Sequence, residues 1–230
     1  VMRDDVAQPR VHCSETTITN ASRRRRRVSM PFDVADPSRM RDALAVLADA
    51  QAVDLHVDTF IAARLLGYDA AVEHNHGRWR HYVGHVDLPR ARRGGLKGAL
   101  WAISTNPFRR SGGRLQAFQK NLDALRRFAT ETDGAAWVTT AAAFDVAMAN
   151  GQHAVIPVVQ GANCLGPENS FAAVGASDIA SVTLVHLLSS GFGETSTPLP
   201  AKQFWGPRGL SARGRILVEG LNEQRVLIDL

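Results

Sequence analysis

Three short runs that are apolar on both faces constrain this chain most: Gly98 to Ser104 (GALWAIS), Ala154 to Gln160 (AVIPVVQ) and Ser181 to Leu187 (SVTLVHL). A strand with one wet face alternates apolar and polar residues, and these runs do not, so both of their faces are to be covered. Helical patterns lie between them. Asp36 caps a first helix with Pro37 in its opening turn, and Met40, Leu44 and Leu47 follow at helical spacing. Leu115, Phe118, Leu122, Leu125 and Phe128 line one face of a long second helix. Thr140 to Asn150 is Ala-rich and stops at Gly151, and Ser211 to Gln224 predicts a helix with Ile216, Leu217 and Leu221 inward. Val53 to Asp58 and Val226 to Leu230 add two strands. Buried strands alternating with helices imply parallel pairing through helical crossovers, which is the α/β class.

A chain of 230 residues, 45% hydrophobic and 21% charged, is long enough for one well-buried domain. Its net charge of +5 suggests a polyanionic partner until the charge is located. Residues 1–30 hold seven arginines against Asp4, Asp5 and Glu15, which leaves +1 for the other 200 residues. No aromatic residue interleaves with Arg23 to Arg27, so a solvated, disordered basic extension over residues 1–35 is preferred to a nucleic-acid contact. Met30 is a further candidate for the natural start, in which case the arginine run has no function. No apolar stretch follows that run, so no secretory or twin-arginine signal is read there. No segment has the length and apolarity of a membrane span. Cys13 and Cys164 are too few and too dispersed for a disulfide framework, which points to a reduced, cytoplasmic chain with Cys164 as a small buried residue.

Polar residues stand at the C-terminal ends of the predicted strands: His56 and Asp58, then Gln160, then His186. A doubly wound sheet would carry a Gly-rich phosphate loop after its first strand, and Thr59-Phe60-Ile61-Ala62 is unlike one. Active residues at successive strand ends are instead the plan of a (β/α) barrel. His56 and Asp58, two apart on one strand, share a face and offer a nitrogen and an oxygen donor suited to zinc. A capping Asp beside a packed His is the plainer reading of the same spacing. Four of the eight histidines, His74, His76, His81 and His85, fall within a twelve-residue stretch without apolar period. They read as a loop at the barrel mouth. His85-Val86-Asp87 repeats the His-x-Asp pattern, but Pro89 and the lack of a preceding apolar run argue against a chelating strand.

In order and spacing, a series of segments resembles the membrane (renal) dipeptidase family of zinc peptidases. They are Val53-Asp54-Leu55-His56-Val57-Asp58; His85-Val86-Asp87-Leu88-Pro89-Arg90 with Gly94-Gly95 and Gly98-Ala99-Leu100-Trp101; Val158-Val159-Gln160-Gly161; Thr183-Leu184-Val185-His186; Gly209-Leu210-Ser211; and Leu227-Ile228-Asp229-Leu230. The resemblance runs from about residue 50 to the end. It implies a (β/α)8 barrel of the metallo-dependent hydrolase type, here partial, occupying residues 36–230. It also implies a binuclear zinc centre that hydrolyses dipeptides through attack of zinc hydroxide on the amide carbonyl, often in a homodimer. His56 and Asp58 become ligands of the first metal, and His186, otherwise a core histidine, faces the substrate.

Two departures follow from the same resemblance. Gln160 stands where the family has a metal-bridging glutamate, and an amide gives one neutral oxygen where a carboxylate gives two charged ones. Glu168 and Glu194 lie near enough in sequence to compensate, and without them one metal or none is expected. The family's later strands, with further histidine ligands, have no counterpart before Leu230, which reads as C-terminal truncation with loss of activity. A non-catalytic partial barrel that binds a partner chain or small ligand is the alternative.

Overall fold

The structure, a computed structural model, describes residues 36–74, 85–104, 111–165, 179–195 and 209–230. The predicted basic extension, Met30, Cys13, His76, His81 and Glu168 lie outside these residues.

Helix α1 (Pro37–Asp49) leads into β1 (Val53–Val57), and α2 (Thr59–Leu66) follows at once. Helix α3 (Leu88–Arg93) precedes β2 (Gly98–Ser104), and the long α4 (Arg114–Glu131) precedes β3 (Ala135–Trp137). Then come α5 (Ala141–Ala149), β4 (His153–Gln160), β5 (Ser181–Thr183), α6 (Ala212–Glu223) and β6 (Leu227–Asp229). The strands form one parallel sheet in the order β1-β2-β4-β5-β6, with β3 also paired to β4, and the sheet curls into a half barrel. The α/β class and the partial barrel expected from the sequence are both present.

β2 and β4 form the centre. They pair over seven residues, from Gly98 with Ala154 to Ser104 with Gln160. A Cβ on Gly98 would stand 2.8 Å from that of Ala154, so glycine lets the strands lie this close. Trp101, Ile103, Val155 and Val159 share a core with Phe118, Leu122 and Leu125 of α4 and Leu217 and Leu221 of α6. The opposite face at the N-terminal end of β4, Ala154 and Ile156, packs on Phe144 and Met148 of α5.

Pro157 is an unusual resident of a central strand, because it cannot donate to the ladder. Its carbonyl accepts from Ala180, so its nitrogen faces the same flank of β4. On that flank β3 ends opposite Val155 and β5 begins opposite Val158. The proline fills the changeover, where no neighbouring strand offers an acceptor.

At the start of β4, in register with Ala135, His153 is 1% exposed. Its Nδ1 lies 3.1 Å from the Leu96 carbonyl, and the Trp101 indole donates to its Nε2 at 3.3 Å. Those partners require the neutral ring with its proton on Nδ1. Burial pushes its pKa below the ordinary imidazole value; the Leu96 hydrogen bond opposes this and the Arg92 charge adds to it.

Several expectations need correction. Ser181 to Leu187 is strand only as far as Thr183: the chain then turns, with Leu187 at φ 60 and a bridge between His186 and Leu188. Ile216 is exposed, and the buried stripe of α6 is Gly214, Leu217 and Leu221. Met40 is likewise exposed, and α1 lies against Gly95 through Leu44 and Leu47. Elements absent from the sequence reading are β3, α2 and α3. Asp87 and Pro89, weighed above against a strand, are the N-cap and first-turn residues of α3.

Candidate metal centre

Polar residues close the C-terminal ends of the strands in a row. The register pairs Ser104 with Gln160, Gln160 with Thr183, and Thr183 with Asp229, so these four share one face of the sheet. β1 enters this row through an irregularity. Between Asp54, opposite Ala99, and Val57, opposite Trp101, it carries one residue more than β2. The shift keeps Val57 buried and leaves His56 and Asp58 on either side of it, both partly open to solvent. The backbone N–H of His56 donates to Asp54 Oδ1 at 2.9 Å, which secures the bulged segment.

Three side chains meet here. His56 Nε2 lies 3.1 Å from Asp58 Oδ1 and 2.9 Å from Gln160 Nε2. Gln160 Oε1 is buried and, among the described residues, has no hydrogen-bond partner. Protons alone do not satisfy this arrangement. A protonated Nε2 serves Asp58 but opposes the amide N–H, and a bare Nε2 accepts from the amide but faces a carboxylate lone pair. Turning the amide over gives the ring proton two oxygens and leaves the NH2 group buried in place of Oε1. A cation takes the imidazole nitrogen and the carboxylate oxygen as donors at once, and the amide joins them only when turned over, with its NH2 group then buried in place of Oε1. Ligands of one zinc ion with bonds near 2.1 Å stand about 3.0–3.4 Å apart, and the 3.1 Å between His56 Nε2 and Asp58 Oδ1 meets that range as well as that of an ordinary hydrogen bond. His56 and Asp58 therefore offer a divalent metal two donors, and the Gln160 amide a third once turned. Among the described residues no three of His, Cys, Asp and Glu cluster closely enough for one, and here the third donor is an amide.

His186 stands three residues beyond β5, on the turn described above. Gly161, at φ 94, makes room for it: a Cβ there would lie 3.3 Å from the Cβ of His186. Partial burial lowers the pKa of His186, Asp58 opposes the shift and His56 adds to it, which places the ring within electrostatic reach of both. A cleft of about 580 Å³ opens beside His56 and Asp58, walled by Ile61, Leu65, Leu66, His85 and Val86. A larger hollow of about 760 Å³, lined by Arg64, Gln116 and Lys120, reaches none of these donors.

The remaining histidine and acid candidates fall elsewhere. His74 stacks on Tyr68 at 4.2 Å, with Nε2 2.7 Å from the Asp69 carbonyl. Asp87 is fully buried and accepts from the backbone N–H groups of His74 and Arg90 and from Arg90 Nε, so the second His-x-Asp serves a helix cap and an ion pair. Glu194 lies where the chain bridges to Leu210, its N–H donating to Gly209. Sequence reasoning passed over Ser104, Thr183 and Asp229, the last joined to Thr183 Oγ1 at 2.7 Å. Only Ser104 carried a signal, as the polar residue that ends an apolar run, whereas Thr183 lies inside one and Asp229 is followed by Leu230.

No curated protein sequence matches the chain. Among solved structures, "dipeptidase AC", a metallopeptidase of family M19, aligns at 23% identity and TM-score 0.64 over 78% of this chain and 55% of its own. A metallopeptidase from Rhodobacter sphaeroides, liganded with a phosphinate mimic of the dipeptide L-Ala-D-Ala, gives 21% and 0.63 over 78% and 57%. The probable dipeptidase PvdM from Pseudomonas aeruginosa gives 19% and 0.67 over 85% and 50%. The chain thus spans about half the length of the solved relatives it matches, and at these identities the likeness is one of fold. The family model for membrane dipeptidase, peptidase family M19, matches residues 40–230, and the chain belongs to that family.

Proposed function

We propose that this chain is a metal-dependent hydrolase that cleaves the amide bond of a dipeptide or a related small amide. The observation that carries the reading is the meeting of His56 Nε2, Asp58 Oδ1 and the Gln160 amide at the C-terminal end of a parallel sheet, in a chain of the membrane dipeptidase family. Zinc suits this donor set, with His56, Asp58 and the Gln160 carbonyl as its ligands. When bound, zinc supplies a Lewis acid for the scissile carbonyl and lowers the pKa of water to about 7.

The chain's own residues do the rest. Asp54 fixes the bulged end of β1 and so aims the His56 ring. His186, favoured as a neutral imidazole by its partial burial, faces the substrate and can donate at one nitrogen and accept at the other. Ile61, Leu65, Leu66 and Val86 offer an apolar wall to a substrate side chain. L-Ala-D-Ala is the natural first substrate to try, given the mimic held by the Rhodobacter relative. Zinc-dependent release of alanine is expected. His56→Ala should abolish it by removing the metal, and His186→Ala should lower it roughly 100-fold with zinc retained. Release that ignores zinc, or that survives His56→Ala, rejects the reading.

A second reading, a non-catalytic partial barrel that binds a partner chain, is favoured by the two outer strands, where Leu55 and Leu227 are 73% and 64% exposed. A folded chain that binds no zinc and associates reversibly would support it.

A further inference from the structure

We infer that the cleft beside His56 and Asp58 selects amides that carry a bulky apolar side chain, and that Leu65 and Leu66 of α2 are its specificity determinants. The inference rests on the hydrolase reading and deepens it by naming the substrate class. Leu65 and Leu66 are 66% and 53% exposed, yet both line this cleft, together with Val57, Ile61 and Val86. Single exposed leucines are ordinary on a protein surface. These two stand in the same cleft as the candidate metal ligands, where a matching apolar side chain would take their surface out of water.

The sequence of α2 puts them there. Ile61 and Leu65 are four apart and share a face of the helix, whereas Phe60 is buried in the core. Arg64, in the last turn, donates to the Ser104 carbonyl at 2.6 Å, which ties the end of the helix to the end of β2 and holds the leucines at the cleft. Val86 is fixed as well. Tyr68 Oη donates to its carbonyl at 3.3 Å, and the Leu88 N–H donates to the Ala70 carbonyl at 2.8 Å. Between Val86 and Leu88 the fully buried Asp87 accepts from the His74 N–H and from Arg90 Nε. Walls tied in this way do not close around a small group. A methyl group therefore leaves much of the apolar lining in water, and an isobutyl group covers more of it. The cleft, at about 580 Å³, has the size of a small-molecule site and room for the larger group.

The test compares kcat/KM of the zinc-loaded full chain for L-Ala-D-Ala, L-Leu-D-Ala and L-Ala-D-Leu, and for the polar isosteres L-Asn-D-Ala and L-Ala-D-Asn. At one of the two positions leucine should exceed both alanine and asparagine by about 10–100-fold. In the double variant Leu65→Ser with Leu66→Ser that preference should shrink to about 3-fold or less, mainly through a higher KM for the leucine peptide. Both leucines are exposed, so the variant should fold, and circular dichroism with zinc content checks that it has. The position that shows the preference identifies which residue of the dipeptide enters the cleft. Zinc-dependent hydrolysis without a preference for leucine, or with a preference that the double variant retains, overturns the inference and leaves the hydrolase reading standing. Absence of zinc-dependent hydrolysis of every peptide overturns both.

Discussion

The decisive events in this molecule are conflicts at single side chains. His56, Asp58 and Gln160 are set so that no placement of protons satisfies all three, and this is the observation that supports the proposal that they are ligands. His153 is the opposite case, a histidine whose two nitrogens are both satisfied, but only while the ring is neutral. Its folded pKa lies below the unfolded value of about 6.5, so between the two the unfolded chain binds more protons. Its contribution is therefore fully present above about pH 6.5 and is lost as the pH falls from there toward the folded value. Urea midpoints measured from pH 7.5 to 5 should fall less steeply in His153→Gln than in the native chain; parallel slopes would refute this. Cys164 is fully buried, and burial pushes its thiol up to about 12, so native protein should leave its peptide unlabelled by a thiol reagent that labels it in urea. His56 and Asp58 were legible in the sequence as a spaced pair at a strand end. Ser104 went unread because a polar residue closing a strand is also an ordinary turn residue, and Thr183 because the apolar run around it continues to Leu187 while the strand stops at Thr183.

Elements were legible where their period was long. The apolar face of α4, Phe118, Leu122 and Leu125, is buried as its spacing required. β3 has three residues and no period, and α2 starts directly after Asp58 without a turn between. Neither offers a window in which periodicity can be counted. α6 shows how packing overrides pattern. Gly214, not Ile216, belongs to its buried stripe, because the helix lies so close to Phe192 that a Cβ at 214 would run into the Phe192 carbonyl. Gly214→Ala should cost about 1–3 kcal/mol in chemical denaturation. Thr140→Ala, which removes the hydroxyl that accepts from Ala143 at the start of α5, should cost about 1 kcal/mol. Equal, negligible losses in both would mean that neither contact holds in solution.

At the scale of the whole molecule, the parallel sheet follows from runs with two apolar faces, and its curl brings the strand ends to one rim. An exposed parallel edge was expected of a partial barrel, but which side chains it leaves bare was not legible, since exposure depends on what lies beside a strand rather than on the strand itself. β1 and β6 flank the sheet, with Leu55 and Leu227 largely exposed. Such edges invite pairing with another chain. Sedimentation should show concentration-dependent association that Leu55→Lys and Leu227→Lys together reduce; a monomer at all concentrations would show these edges to be inert. The fold serves as a frame that carries His56 on β1 to Gln160 on β4 across the rim. That convergence is tested most directly by zinc K-edge absorption on the loaded chain. The account predicts a first shell of nitrogen and oxygen with an imidazole contribution that disappears in His56→Ala; a shell containing sulfur, or one unchanged in that variant, would contradict it.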